Sequence, residues 1–105
     1  MAQDNRPEPV RVSIDPDHQD LIPGFLQHRR HDVQILEKAV AVGDFEIIRT
    51  LGHRMKGDGG GYGFSMISDI GGALEKAALE KNTQGVVACI QALTTYLDRI
   101  EVVYE

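Results

Sequence analysis

The chain has one cysteine, Cys89, and no tryptophan among its 105 residues. A single thiol excludes an internal disulfide and a multi-cysteine zinc site. Aromatic residues make up only 6%, so the core must be mostly aliphatic. Positive charge is also scarce. Lys and Arg number 11 against 16 Asp and Glu, a formal net charge of -5. That balance speaks against nucleic acid, whose binders usually carry a basic patch or stripe, and equally against an anionic membrane surface. No apolar run approaches the roughly 18 residues that a membrane span needs. The opening MAQDNRPEPV lacks an apolar h-region, so no secretory signal is expected and the cytoplasm is the expected compartment. What remains is the ordinary composition of one globular domain with a modest core.

The apolar residues that are present recur at helical spacing. Residues 1–13 are polar, carry two prolines, and read as a flexible tail ahead of a domain over 14–105. Asp15 and Pro16 suit an N-cap and first helical position, predicting a short leading helix over 16–21. Pro23 can open a second helix in its first turn, burying Ile22, Phe25, Leu26, Val33, Leu36 and Val40 and ending at Gly43. The alternative is one helix over 16–42 kinked at Pro23. Asp44 is the candidate cap of the next helix. Another starts near Ser65, with Ile67, Ile70, Leu74 and Ala77 or Ala78 on one face. Asn82 caps the last, whose seam is Val86, Ile90, Leu93, Leu97 and Ile100. No strand has support. The expectation is an all-α, antiparallel up-down four-helix bundle with a short extra N-terminal helix.

One stretch stands apart. LGHRMKGDGGGYGF places five glycines within residues 57–63, just after His53 and Lys56. Glycine inside a helix costs about 1 kcal/mol relative to alanine. At 100° per residue, Phe45, Ile48, Leu51 and Met55 form the core stripe of this helix, and His53 falls well away from it. Arg49, Lys56, Gly57 and Gly60 share the histidine's solvent-facing strip. Gly57 and Gly60 then leave room for a partner surface to approach the imidazole. Gly59 falls on the core side, where it would let a neighbouring helix come close. Gly61, Tyr62 and Gly63 suit a helix end.

Other chemistry can be tested and set aside. Gly52 and Gly57 have Walker A spacing, but Asp58 follows where Lys is needed. No register gives Gly-x-Gly-x-x-Gly, and no strand precedes either candidate. His28 and His31 lack a nearby third metal ligand and read as a solvated face with Arg29 and Arg30. Cys89, beside the last helix's seam, reads as a packed, inert thiol. Tyr62 suits packing somewhat better than docking. Asp58 reads as a surface charge, and ALEKAALEKN as a solvated face with Glu–Lys pairs.

The run HRMKGDGGGYG, preceded by LGH and followed by SDIGGALEKAA, resembles the histidine-containing phosphotransfer (Hpt) domain. The segments LIPGFLQHRR and AVGDFEIIRTL and the pair Leu74–Glu75 are also similar to that family. The resemblance covers roughly residues 14–103. Many members have Ser or Ala where this chain has Asp58, Gly59 and Gly60, and Met55 stands in for a common Leu. The resemblance implies a phosphorelay carrier in two-component signalling. His53 matches the phosphorylated position, taking a phosphoryl group from a receiver-domain aspartyl phosphate and passing it to another receiver aspartate. Nε2 of a neutral ring would attack. Lys56 would offset phosphoryl charge, and Gly57 would give the receiver clearance. Arg49 or Arg54 could assist, Arg54 being the less well placed. Gly60 and Phe64 join Arg49 and Arg54 as candidate partner contacts, with Met66 and Ile67 as further apolar candidates, some of which must be core.

The expected partners are receiver domains of a hybrid histidine kinase and of a downstream regulator. They would bring the acidic pocket and Mg²⁺ that phosphoryl transfer needs. No cofactor or metal site is expected in the chain itself, which is expected to act as a monomer and not as an enzyme. A helical docking or dimerisation module without phosphotransfer is the alternative. Its mark would be a lost His or Lys in the central motif, and both are present.

Overall fold

The computed structural model describes residues 8–105. Its elements run β1 (Val10–Ile14), a 3₁₀ turn (Pro16–His18), α1 (Ile22–Val42), α2 (Phe45–Gly61), α3 (Ser65–Leu79), α4 (Thr83–Arg99) and β2 (Ile100–Tyr104). Four helices form the bundle, as expected, but the chain is not all-α. β1 and β2 pair in parallel, Val10 opposite Ile100 through Ile14 opposite Tyr104. The strand takes residues 10–13 out of the expected tail; residues 1–7 of that tail lie outside the described residues. Val10, Val12 and Ile14 alternate with exposed Arg11 and Ser13, the period of a half-buried strand. They pack against the helical core, which is the reason a segment so short is held. Ile100, expected as the last residue of the helical seam, is instead the first of β2.

The leading helix over 16–21 is also replaced. Pro16–His18 makes a single 3₁₀ turn, capped by Asp15 Oδ1 accepting from the Asp17 N–H at 2.9 Å. α1 then starts at Ile22 with Pro23 in its first turn, where the missing N–H interrupts no helical bond. The other caps fall as the sequence indicates. Asp44 Oδ1 accepts from the Ile47 N–H at 3.2 Å, and Asn82 Oδ1 from the Gly85 N–H at 3.0 Å. Such a cap contributes about 1 kcal/mol.

The core runs through all four helices. Leu36 of α1, Ile48 and Met55 of α2, Ile67 and Leu74 of α3, and Val86 and Leu93 of α4 are buried almost completely. Truncating one of these leucines to alanine costs about 2–5 kcal/mol. Leu26, Val40 and Phe45 lie at the margin of this core, half-buried. Tyr96 and Ala39, absent from the sequence-based seams, are inside.

Candidate functional site

α2 and α3 meet with almost nothing between their backbones. A Cβ at Gly71 would stand 2.5 Å from the Lys56 nitrogen and 2.6 Å from the Gly52 oxygen. One at Gly52 would meet the Glu75 nitrogen at 2.7 Å, and one at Gly59 the Ser68 nitrogen at 2.5 Å. Real side chains do not tolerate such distances, so this approach requires glycine at all three positions. Gly59 therefore acts as the sequence indicates. Gly52 and Gly71 do the same without having been anticipated.

The close approach sets one stripe of α3 beside the exposed strip of α2. Ser68 Oγ donates to the Lys56 carbonyl at 2.6 Å. The Lys56 stem passes Gly72, whose added Cβ would touch its Cδ at 3.8 Å. One helical turn further on, Glu75 Oε2 lies 2.9 Å from His53 Nδ1, and Glu75 Oε1 lies 3.8 Å from Lys56 Nζ. The carboxylate is mostly covered, at 20% exposure, whereas the imidazole stands out at 73%.

This geometry favours one tautomer of the neutral ring. An ionised carboxylate can only accept a hydrogen bond, so Nδ1 carries the proton that bonds Glu75. In the neutral imidazole, Nε2 is then the nitrogen with the free lone pair. Glu75 thus orients the ring and selects its tautomer, a role that a carboxylate commonly plays for a functional histidine. Sequence reading placed Glu75 in a solvated helical face and missed it. The signals were its place in the segment after the motif, two turns beyond Ser68, and the likeness of the Leu74–Glu75 pair to the family, which carried no role for the side chain.

The remaining candidates separate into groups. Gly57 is exposed with nothing within 4 Å of an added Cβ, and Gly60 is nearly as open, with Ser68 Oγ at 3.9 Å. Arg49 is exposed on the histidine's strip. Arg54 is exposed on the far side of α2, beside a shallow cleft shared with Ile35 and Ile47. Among the described residues, neither arginine forms an ion pair. Phe64 is not at the surface: its exposure is 0%, and its ring stacks on Phe25 at 5.3 Å between centroids. An aromatic residue at the α3 N-cap points inward because Phe25, Tyr62 and Phe64 pack as a group closing that end of the core. Ile67 is likewise buried, and Met66 is exposed toward α4.

α1 faces α2 through side chains. Arg29 lies over the Phe25 ring, 4.9 Å from its centroid. It makes an ion pair with Asp32 at 2.9 Å, without hydrogen-bond alignment of its Nε–H, and a looser one with Asp58 of α2 at 3.6 Å. Burial pushes the Asp32 carboxyl above its ordinary range, partly offset by Arg29. Arg29 is therefore not the solvated cation that its neighbourhood in sequence suggests, whereas His28 and His31 are exposed. No group of three or more His, Cys, Asp or Glu that could hold a metal occurs among the described residues. Cys89 is half-buried in the seam of α4, and burial raises its thiol, which disfavours the reactive thiolate. No helix is long and apolar enough to cross a membrane among the described residues.

Comparison with curated proteins and with solved structures gives no match. A family model does match, that of the Hpt domain, over residues 20–102. The matched span takes in all four helices, the histidine on α2 and the carboxylate on α3 that holds it, and the chain belongs to the Hpt domain family.

Proposed function

We infer that this chain, as an Hpt domain, is a phosphocarrier of two-component signalling that works with receiver domains. We propose that His53 is the carrier of this chain, accepting a phosphoryl group from a receiver aspartyl phosphate and yielding it to the aspartate of another. The observation that carries the reading is the 2.9 Å contact of Nδ1 with Glu75, made by a ring whose other side is open to solvent.

The Nε2 lone pair attacks phosphorus in line, the P–N bond forms, and the P–O bond to the aspartyl carboxylate breaks, its electron pair leaving with that carboxylate. The ring gains the positive charge that its Nε2 lone pair gives up. It keeps its Nδ1 proton, now in a stronger, charge-assisted bond to Glu75. A phosphorylated ring held in this cationic form is a good leaving group, which suits a carrier that must also give the group away. Lys56, drawn toward Glu75 but 59% exposed, can turn its ammonium to the phosphoryl oxygens. Gly57 and Gly60 leave the approach to Nε2 open. Arg49 flanks the same strip; Arg54 is better placed to touch the partner than the reacting atoms. The metal and acidic pocket come from the receiver.

We take β1 through β2 as one folded unit. The short connections between helices support an alternating, up-down course. A docking module without phosphotransfer is less favoured, because both motif residues are in place and the histidine is held in a nucleophilic tautomer.

The test is transfer from a phosphorylated receiver domain to the chain, with His53→Gln in parallel. The wild type should acquire an acid-labile, base-stable label and the variant none. A label that persists in His53→Gln would remove His53 from the role.

A further inference from the structure

β1 and β2 form a sheet of two strands, order β1-β2, so among the described residues each has one edge without a strand neighbour. In a parallel ladder every second residue turns both its backbone groups toward the neighbouring strand. The Glu105 N–H donates to the Ile14 carbonyl at 3.1 Å. With the observed register, Val10, Val12 and Ile14 are the residues that bond β2. The N–H and C=O groups of Arg11 and Ser13 therefore point to the opposite edge. Both residues are exposed. An open cleft runs along this edge, lined by Val10, Arg11, Val12 and Ser13 and floored by Met66 and Tyr96. Met66 is 48% exposed. An apolar margin beside a row of unpaired backbone groups is a template for another strand.

We propose that the occupant is β1 of a second copy, running antiparallel across a two-fold axis at Val12. The sheet would then continue in the order β2-β1-β1-β2. The sequence VRVSI is complementary to itself in this register. Arg11 of one copy lies opposite Ser13 of the other, so the exposed groups exchange N–H···O=C bonds as hydrogen-bonded pairs. Arg11 meets Ser13 rather than a second arginine, and Val12 meets Val12 on the apolar face. The interface is isologous, which closes the assembly as a dimer and satisfies both free β1 edges. Met66 and Ile70 face α4, whereas Ser68 and Glu75 face α2, so the dimer leaves His53 uncovered.

Sedimentation equilibrium of the full chain over a concentration series tests this, together with amide exchange at Arg11 and Ser13. The expected result is a monomer–dimer equilibrium in which these two amides become protected as dimer accumulates. Ser13→Pro removes an edge donor and spares the β1–β2 bonds, since proline is tolerated where the N–H faces outward. It should raise the dimer Kd by at least about tenfold with an unchanged helical spectrum. Met66→Lys charges the cleft floor at an exposed position and should weaken the dimer likewise; it carries the test if the proline variant unfolds. A chain that stays monomeric at about millimolar concentration, where a Kd corresponds to only about 4 kcal/mol of binding, would overturn the proposal. So would a dimer that survives both variants with Arg11 and Ser13 still exchanging freely.

Discussion

α2 meets its two neighbours in opposite ways. Toward α3 it presents Gly52 and Gly59, and α3 answers with Gly71, so that backbone lies on backbone. Toward α1 it presents Asp58, with Tyr62 just past its C-terminus, and these reach Arg29 and Phe25 across side-chain distances, leaving clefts at both ends of the contact. The difference shows in how the two sides can serve a reaction. A seam with no side chains has no rotamers to relax, so it fixes Glu75 relative to His53 to within a hydrogen bond. A contact made of long side chains can shift without breaking. The carboxylate that orients His53 belongs on the first kind of surface, and that is where it sits.

The sharpest way to break this comparison is to make one substitution on each side of it. Gly71→Ala adds a methyl group that meets backbone at 2.5 Å, and backbone cannot move aside as a side-chain tip can. Although alanine is the better helix former, a net loss of about 2–3 kcal/mol is expected, together with slowed transfer as Glu75 is pushed off. Urea midpoints give the first and labelling rates the second. A loss below about 0.5 kcal/mol, the usual range for surface changes, would show that the seam can open.

Glu75→Ala keeps the seam and removes what it delivers. The ring loses its tautomer choice and its partner for the positive charge. Transfer to His53 should slow by about tenfold, equivalent to about 1.4 kcal/mol in the barrier, with only a modest change in stability because the imidazole half of the pair is at the surface. The ring's nitrogen chemical shifts should move toward a mixture of tautomers. Glu75→Gln keeps an acceptor without the charge and should fall between the two. Equal rates in all three proteins would leave Glu75 a bystander.

Gly57→Ala is the same chemical change as Gly71→Ala with the opposite sign expected. Its added Cβ meets nothing within 4 Å, so only the helical preference remains. Stability should rise by about 0.5–1 kcal/mol. Gly57→Leu should keep the fold as well and yet impair transfer, because its bulk would stand where the proposed receiver approaches His53. Unimpaired transfer in that variant would end the clearance argument.

How much of this was legible beforehand depends on the range over which each feature is decided. Caps are local, and Asp44 and Asn82 were readable because a short oxygen-bearing side chain ahead of an apolar period has one good use. The face of His53 follows from the helical period alone. The strands failed for the opposite reason. VRVSI does alternate, but five residues are too few to convince, and its partner lies at the other end of the chain. Ile100 fits both periods, so the helical seam ran one residue into β2. Phe64 was misplaced because its neighbours in sequence are site residues while its neighbour in space, Phe25, is core. Glu75 is the instructive miss: its pairing with His53 depends on a helix spacing set by three glycines, and no single segment carries that information.

The side of α2 that faces α1 has a smaller signature, in pH. Asp32 is buried beside Arg29, with His28 and His31 on the same helix and Asp58 reaching Arg29 from α2. Burial raises its pKa and Arg29 opposes the rise without cancelling it. The folded protein therefore holds the Asp32 proton more tightly than the unfolded chain does. As pH rises from the ordinary carboxylate value through the folded-state value, Asp32 alone takes stability away; once it is fully ionised the loss is constant. Asp32→Asn has no proton to lose there. Its stability relative to wild type should climb across that window and then level off, as read from urea midpoints between about pH 3 and about pH 7. Arg29 loses its pairing in the variant, but that pairing forms only with ionised Asp32 and is already contained in the net rise of the Asp32 pKa, so the slope is diagnostic and the level is not. A difference that stays flat, or falls as pH rises, would mean that Arg29 compensates the buried carboxylate in full. The α1 side would then be as closely matched as the glycine seam, by charge instead of by contact.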